Sequence, residues 1–348
     1  MGLKDEIIQY AKTIGVDLIG FTHCEPFEEI REILETRKRE GYLSGFEEKD
    51  IEKRIDPRKT LENCRSILVI GQSYYRDESK IREENPPQFY GELARTAWGR
   101  DYHLVLGEKM KKIIDFLNSV QEGCEAKAFV DTGPLVDRQV AYRAGLGFYG
   151  FNNAIINETY GSWVFIGYIL TNIPIEPDKP LEKSCLECGK CIEKCPNGAI
   201  EGPHKFNANK CLSNILQKKG EIPREIRSKL GKKMYGCDIC QEVCPHNFEI
   251  REEERDEFLP KNPSNKIDLV DLLNISNKEF ERTFKSNASG WRGKKVLQRN
   301  GIIAMVNHGD KGAMEHLVPM LNDPRPEIRK LVMWAVSELG GDFDDEKI

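Results

Sequence analysis

Residues 185–196 read CLECGKCIEKCP, which sets Cys185, Cys188, Cys191 and Cys195 in the spacing C-x2-C-x2-C-x3-C with Pro196 behind the last. Three cysteines three residues apart can wrap one iron–sulfur cubane, while the fourth, turned away past the proline, serves a neighbouring cluster. A shorter copy, YGCDICQEVCP at 235–245, supplies Cys237, Cys240 and Cys244-Pro245 and lacks one inner ligand, for which Cys211 is the available substitute. Exchanging the outer cysteines gives two 4Fe-4S sets: Cys185, Cys188, Cys191 and Cys244 for one cluster, and Cys195, Cys211, Cys237 and Cys240 for the other. A zinc ribbon also uses C-x2-C pairs, but it closes with four ligands and has no use for a proline-terminated triple run. Cys24, Cys64 and Cys124 fall outside any ligand spacing and read as small buried apolar side chains.

The 348 residues carry 52 basic and 57 acidic side chains, so global charge points to no nucleic-acid partner; a local basic patch would have to meet one. The first residues, MGLKDEIIQYAKTIGVDLIG, lack an export pattern, and no apolar run is long enough to span a membrane. Eleven cysteines without a leader point to thiolate ligands rather than disulfides, hence to a reducing compartment, the cytoplasm.

Before the cysteine run, helical stretches (EIIQYAKTIG, DYHLVLGEKMKKIIDFLNSV) alternate with strand-like ones (VDLIGF, RSILVIGQSYY, AKAFVD, GSWVFIGYIL). The expected fold is α+β and multidomain, with an α/β layered domain over 1–175 ending in the proline-rich IPIEPDKP. A ferredoxin-like domain should follow over 176–250, with the clusters as its core, and then a helical tail over 265–348 with the rhythm of HEAT-type pairs. So few repeats must dock on a neighbour.

Other motifs are weaker. Gly145, Gly147 and Gly150 match G-x-G-x-x-G, but the preceding DRQVAYRA looks helical, so they read as a helix stop and a close backbone pass rather than a dinucleotide loop. Asp101-x-His103 through Gly107 is one residue too long for a cobalt-histidine loop, and His103 reads as an ordinary structural histidine. Asp131 follows the strand-like AKAFV; it is either a turn cap or a catalytic group, and as a general acid it needs a pKa raised by burial. Lys285, Arg292, Lys294, Lys295 and Arg299 surround Trp291, and Lys218, Lys219, Arg224, Arg227 and Lys229 form a second group. Each is either a solvated face or part of a phosphate-binding surface.

GYLSGFEEKDIEKRIDPRKTL (41–61), AWGRDYH (97–103), FVDTGPLVDRQVAYRAGLGF (129–148), the cysteine runs with CLSNILQKKG (211–220), and SGWRGKKVLQRNGI (289–302) together make the chain resemble the epoxyqueuosine reductases over nearly its whole length. That resemblance implies a cobalamin-binding N-terminal domain related to that of reductive dehalogenases, with cobalt bound base-off, and a HEAT-like tail that helps to hold tRNA. It implies Arg54 and Asp131 near the corrin, with Asp131 as proton donor. Electrons from an external low-potential donor would pass through the clusters to cobalt, which acts on the epoxide. The basic groups, Lys218, Lys219, Arg224, Arg292, Lys294, Lys295 and Arg299, would grip the anticodon stem-loop. The family often has lysine where this chain has Phe151. A monomer is expected. The rivals are a reductive dehalogenase-like enzyme acting on a small organohalide, and a non-enzymatic cobalamin-handling or electron-transfer protein.

Overall fold

The computed structural model describes residues 2–81, 87–261 and 263–341. They form two compact units, each drawn from three stretches: Met1–Arg76, Tyr102–Asn209 and Ile239–Glu254 in the first, and Asp77–Asp101, Lys210–Asp238 and Arg255–Ile348 in the second.

The first unit is built on a four-stranded sheet in the order Leu18–His23, Ser66–Ser73, Val164–Thr171, Ala126–Val130, with every neighbouring pair antiparallel. Ser66–Ser73 is buried at every position, as a central strand covered on both faces must be. On one face Gly167 meets Leu106 and Met110 of the helix Tyr102–Val120, and Tyr10 of the helix Leu3–Thr13 stacks on Phe116. On the other, Ile67, Val69, Tyr168 and Leu170 share one core with Leu34, Ile55, Val140 and Ala141, from the helices Arg31–Arg39, Ile51–Ile55 and Asp137–Arg143. Lys109 ties a helix to the sheet: its ammonium donates to Gly15 O (2.6 Å) and Gln72 Oε1 (2.8 Å).

Cys24 and Cys64 are buried in this core as expected, but they are not separate thiols: the structure joins them in a disulfide. Antiparallel pairing sets His23 opposite Ser66, which carries the two cysteines beyond these strand ends to a Cα separation of 6.0 Å, within bonding range. Cys124 is half-buried.

The glycine run behaves as read. Gly145 takes φ 73° and ends the Asp137–Arg143 helix, its N–H donating to Tyr142 O while Leu146 N–H donates to Ala141 O. Gly147 then passes so near Ile156 that a Cβ would lie 2.5 Å from its carbonyl oxygen.

In the second unit the strand Tyr90–Leu93 pairs in parallel with Lys233–Tyr235 and antiparallel with Lys266–Asp268, so the expected all-helical tail opens on a short strand instead. Helices Leu269–Asn274, Asn277–Phe284, Lys294–Asn307, Ala313–Leu317 and Pro326–Glu338 follow. Lys294–Asn307 is buried without a break from Val296 to Met305, the mark of a helix packed all round. Arg325 holds the DPRPEIR turn by pairing with Asp323 (2.7 Å) and donating to Gln298 (2.8 Å). Among the described residues no helix is long and apolar enough to cross a membrane.

A Cβ on Gly20 would sit 2.3 Å from Ala144 O and 2.6 Å from the Leu146 side chain. Gly20→Ala should therefore cost about 1–3 kcal/mol through overpacking, read as a lower denaturant midpoint.

Candidate active site

The triple cysteine run folds tightly because Glu187 and Gly189 both take positive φ, 52° and 71°. Cys185, Cys188 and Cys191 line one cavity with Cys244, walled by Gly150, Phe151 and His246. Cys244 arrives from a distant stretch that is hydrogen-bonded in place. Asn247 Oδ1 accepts the Ser162 N–H (2.7 Å), Asn247 Nδ2 donates to Ser162 Oγ (2.9 Å) and Gln241 O (2.7 Å), and Gln241 Nε2 donates to Ser162 O (3.0 Å). Phe148 and Ile156 pack on Cys244. Burial, then the neighbouring Cys185 and Cys244, push the Cys191 thiol up to about 11, and burial raises Cys244 as well. Cys191 and Cys244 are thus disfavoured as thiolates in protein alone, and a metal's positive charge is what would stabilise adjacent thiolates there. Phe151 thus stands at the wall of the cysteine cavity.

Of the second set, Cys195 and Cys240 belong to the first unit, and Cys211 and Cys237 to the second. Cys195 Sγ accepts the Ala199 N–H at 3.2 Å, the kind of bond that tunes a ligating sulfur.

Asp131 sits where the Ala126–Val130 strand leaves the sheet. Thr132 N–H donates back to Val130 O, closing a three-residue turn around Asp131 at φ 55°, a strained geometry for a residue with a Cβ. The loop is anchored behind: Leu135 N–H donates to the Tyr168 hydroxyl (3.2 Å), and Gly133 passes so close that a Cβ would lie 2.1 Å from that oxygen. Asp131 Oδ2 lies 3.7 Å from His103 Nε2, and the aspartate side chain is 65% exposed. His103 beside it, with Tyr102 adding, holds Asp131 below the usual carboxylate range against a contrary pull from burial. The raised pKa that Asp131 would need as a general acid is not present in the protein alone, because the His103 imidazole beside it favours the carboxylate. His103 is correspondingly more than an ordinary structural histidine.

The carboxyl whose pKa is raised is Asp137, at the start of the next helix. Burial, then the charge of Asp131, push it up to about 7, and its Oδ1 is shut from solvent with no hydrogen-bond partner among the described residues. Arg54 is 8% exposed and pulled down by burial, and Arg37 is brought to about 10 by burial and then by the charges of Arg138 and Arg54. Arg37 Nε is also buried without a hydrogen-bond partner among the described residues. His103, Asp137 and Arg37 were not singled out in the sequence as site residues; the near-match at 101–107 was the one available signal.

The two basic groups meet within the second unit. Trp291 Nε1–H donates to Gln217 Oε1 (3.0 Å) and Arg292 Nε to Gln217 O (2.8 Å). Lys219, Arg224 and Lys295 are exposed, and Lys218, Arg292 and Lys294 are half-buried. Lys294 donates to Ile275 O, and Lys295 pairs with Glu327. Arg299 departs from the expectation of an RNA contact. It is 7% exposed, and its guanidinium donates to the carbonyls of Lys218 (2.6 Å), Gly220 (2.7 Å) and Leu216 (3.0 Å), so it is a clamp inside the fold.

His103→Ala should let the Asp131 titration move upward, seen by carboxyl-carbon NMR of aspartate-labelled protein. Because the folded-state pKa is depressed, its stabilising share is present above the unfolded pKa and lost as pH falls through the folded one. The variant should lack that acid-side loss.

Residues 54–132 match the family model described as "Epoxyqueuosine reductase QueG, DUF1730", and residues 184–247 match a "4Fe-4S double cluster binding domain". The epoxyqueuosine reductase of Bacillus subtilis (strain 168) is 43% identical over 97% of this chain and 88% of its own length. A solved structure of the Bacillus subtilis enzyme, with a catalytic aspartate loop swung out of the active site, is 42% identical, with a TM-score of 0.93 over 97% of this chain and 90% of that one. A solved epoxyqueuosine reductase carrying an epoxyqueuosine-modified tRNA-Tyr stem loop is 43% identical, with a TM-score of 0.92 over the same shares of the two chains. With near-full-length identity of this order, the chain belongs to the epoxyqueuosine reductase family.

Proposed function

We propose that the protein reduces the epoxide of epoxyqueuosine at the tRNA wobble position to queuosine, with electrons supplied through two 4Fe-4S clusters to a base-off cobalamin. The observation that carries this is the family match over 97% of the chain at 43% identity. A relative that binds an epoxyqueuosine-modified stem loop supports tRNA as the substrate. The N-terminal 1–175 would hold cobalamin, 176–250 the clusters, and the HEAT-like 265–348, whose last residues 342–348 lie outside those described, would help to hold tRNA. An external low-potential donor, a monomer and a cytoplasmic location complete the reading.

The first cluster would be held by Cys185, Cys188, Cys191 and Cys244, and the second by Cys195, Cys211, Cys237 and Cys240. Three side chains of the first unit suit a corrin with amide side chains and a phosphodiester tail: Arg37 Nε and Asn153 Nδ2 are buried donors without partners among the described residues, and Arg54 is a buried cation. When bound, cobalamin would supply the strongly reducing, nucleophilic metal centre that an epoxide requires. The chain's own residues do the rest. Arg54 would lie beside the cofactor when it is bound. Asp131 gives a proton to the epoxide oxygen as its first C–O bond breaks, so that no free alkoxide forms, and a second proton goes with that oxygen when the other C–O bond breaks and it departs as water. Its exposed, strained turn puts the carboxyl where a substrate can reach it, and a relative's aspartate loop is known to swing out. Lys218, Lys219, Arg224, Arg292, Lys294 and Lys295 offer charge to the RNA backbone, and the wobble base would be turned out of its stack to reach the cofactor.

Anaerobic protein given cobalamin, a strong reductant and epoxyqueuosine-containing tRNA should yield queuosine by nucleoside mass spectrometry; no product contradicts the proposal. Asp131→Asn should lower kcat about 10²–10⁴-fold with KM for tRNA little changed. A parent-like rate removes the proton-donor role. Lys219→Glu should raise KM for tRNA most at low salt, whereas Arg299→Ala should lower the unfolding midpoint, since it strips buried carbonyls of their donor.

A further inference from the structure

Two carboxyls six residues apart stand in opposite settings. Asp131 is 65% exposed at its side chain, with His103 Nε2 3.7 Å away, so at rest it is a carboxylate. Asp137 opens the helix Asp137–Arg143, and its Oδ1 is closed to water with no donor among the described residues. A carboxylate oxygen shut away without a hydrogen bond is costly as an anion, and such a group holds its proton instead. The surroundings do not reverse this. Asp131 disfavours a second negative charge, while Arg138 and His103 offset that only in part. Arg54 and the hydroxyls of Tyr149 and Tyr168 also stand within electrostatic reach of Asp137. A place in the first turn of a short helix favours the anion weakly beside the loss of hydration.

The proposed reaction needs a proton at the leaving oxygen, yet its expected donor rests without one. We infer that this proton is stored on Asp137 and reaches the substrate through Asp131, which His103 keeps ionised until the epoxide opens. This rests on the reductase reading. In the relay the O–H bond on Asp137 breaks as one forms on the Asp131 carboxylate. Asp131 then passes the proton to the epoxide oxygen as its first C–O bond breaks, Asp137 recovers a proton from solvent, and a second proton by the same route accompanies the oxygen as water when its other C–O bond breaks. No electrons move in these steps. Asp131 is the catalytic residue; Asp137 is a positioning residue for the proton. The backbone suits the division, because Asp137 belongs to a helix packed into the core while Asp131 rides at the tip of a strained turn whose own amide faces the Asp137 carboxyl.

The test uses the full cluster-loaded chain and the Asp137→Asn variant, in which the amide copies the shape of the neutral acid. Without substrate, the infrared difference between pH values about one unit below and above about 7 should show a protonated-carboxyl stretch in the parent that Asp137→Asn lacks. With cobalamin, reductant and modified tRNA, the parent's kcat should fall as pH rises through about 7. Asp137→Asn should turn over about 100-fold more slowly with KM unchanged, and its alkaline limb should move to lower pH, because only the acidic Asp131 remains. Asp137→Glu, which restores an acid, should recover part of the rate; Asn and Glu variants equally slow would make the role structural and overturn the relay. A parent without the infrared band, or an Asp137→Asn protein with parental kcat and pH profile, also overturns it. If the parent turns over no epoxyqueuosine at all, the reductase reading fails, while the infrared band still reports where the proton is held.

Discussion

The cysteine centre depends on the side chain of Asn247. One amide accepts from Ser162 and donates to both Ser162 and Gln241, and Gln241 returns to Ser162, so the stretch bearing Cys244 is fastened to the loop that leads into the Val164–Thr171 strand. Gly161 is part of the same fit: it takes φ 58°, and a Cβ there would lie 2.0 Å from Asn247 Oδ1. Buried amide bonds of this kind contribute about 1 kcal/mol each when made and cost about 1–3 kcal/mol when one partner is left unpaired. Their larger effect is positional, because a fourth thiol brought from 53 residues beyond Cys191 must arrive at a fixed point.

The same sheet positions the two aspartates. The Val164–Thr171 strand supplies Tyr168, whose hydroxyl receives Leu135 N–H and so fixes the loop between the two aspartates. On either side of that anchor the environment changes sharply. Asp131 faces water and His103 and is held acidic, while Asp137, half-buried with its Oδ1 shut from solvent, is pushed up to about 7. Paired carboxyls pushed apart in this way divide the work of holding a proton and handing it on.

Much of this was legible in the sequence, and the exceptions have physical causes. The helices and strands of the first half follow from apolar periodicity, and the C-x2-C-x2-C-x3-C-P spacing states its chemistry locally. Periodicity could not show that the central sheet is wholly antiparallel, since strand order depends on contacts between segments far apart. The Cys24–Cys64 bond was hidden for the same reason: their proximity follows from the His23–Ser66 pairing, not from spacing. Asp131 was visible as a residue at a strand end, but the sign of its pKa shift was not, because it is set by His103 from a helix that begins 29 residues earlier. Arg299 misled because a basic run seen in one dimension does not reveal which guanidinium points inward.

Mössbauer spectra of iron-57-labelled, anaerobically prepared parent and Cys244→Ala proteins test most directly whether Cys244 completes the site of Cys185, Cys188 and Cys191. The parent should show only 4Fe-4S iron, and the variant should lose or alter the signal of one cluster while keeping that of the other. Spectra and iron content identical in the two proteins would contradict the account.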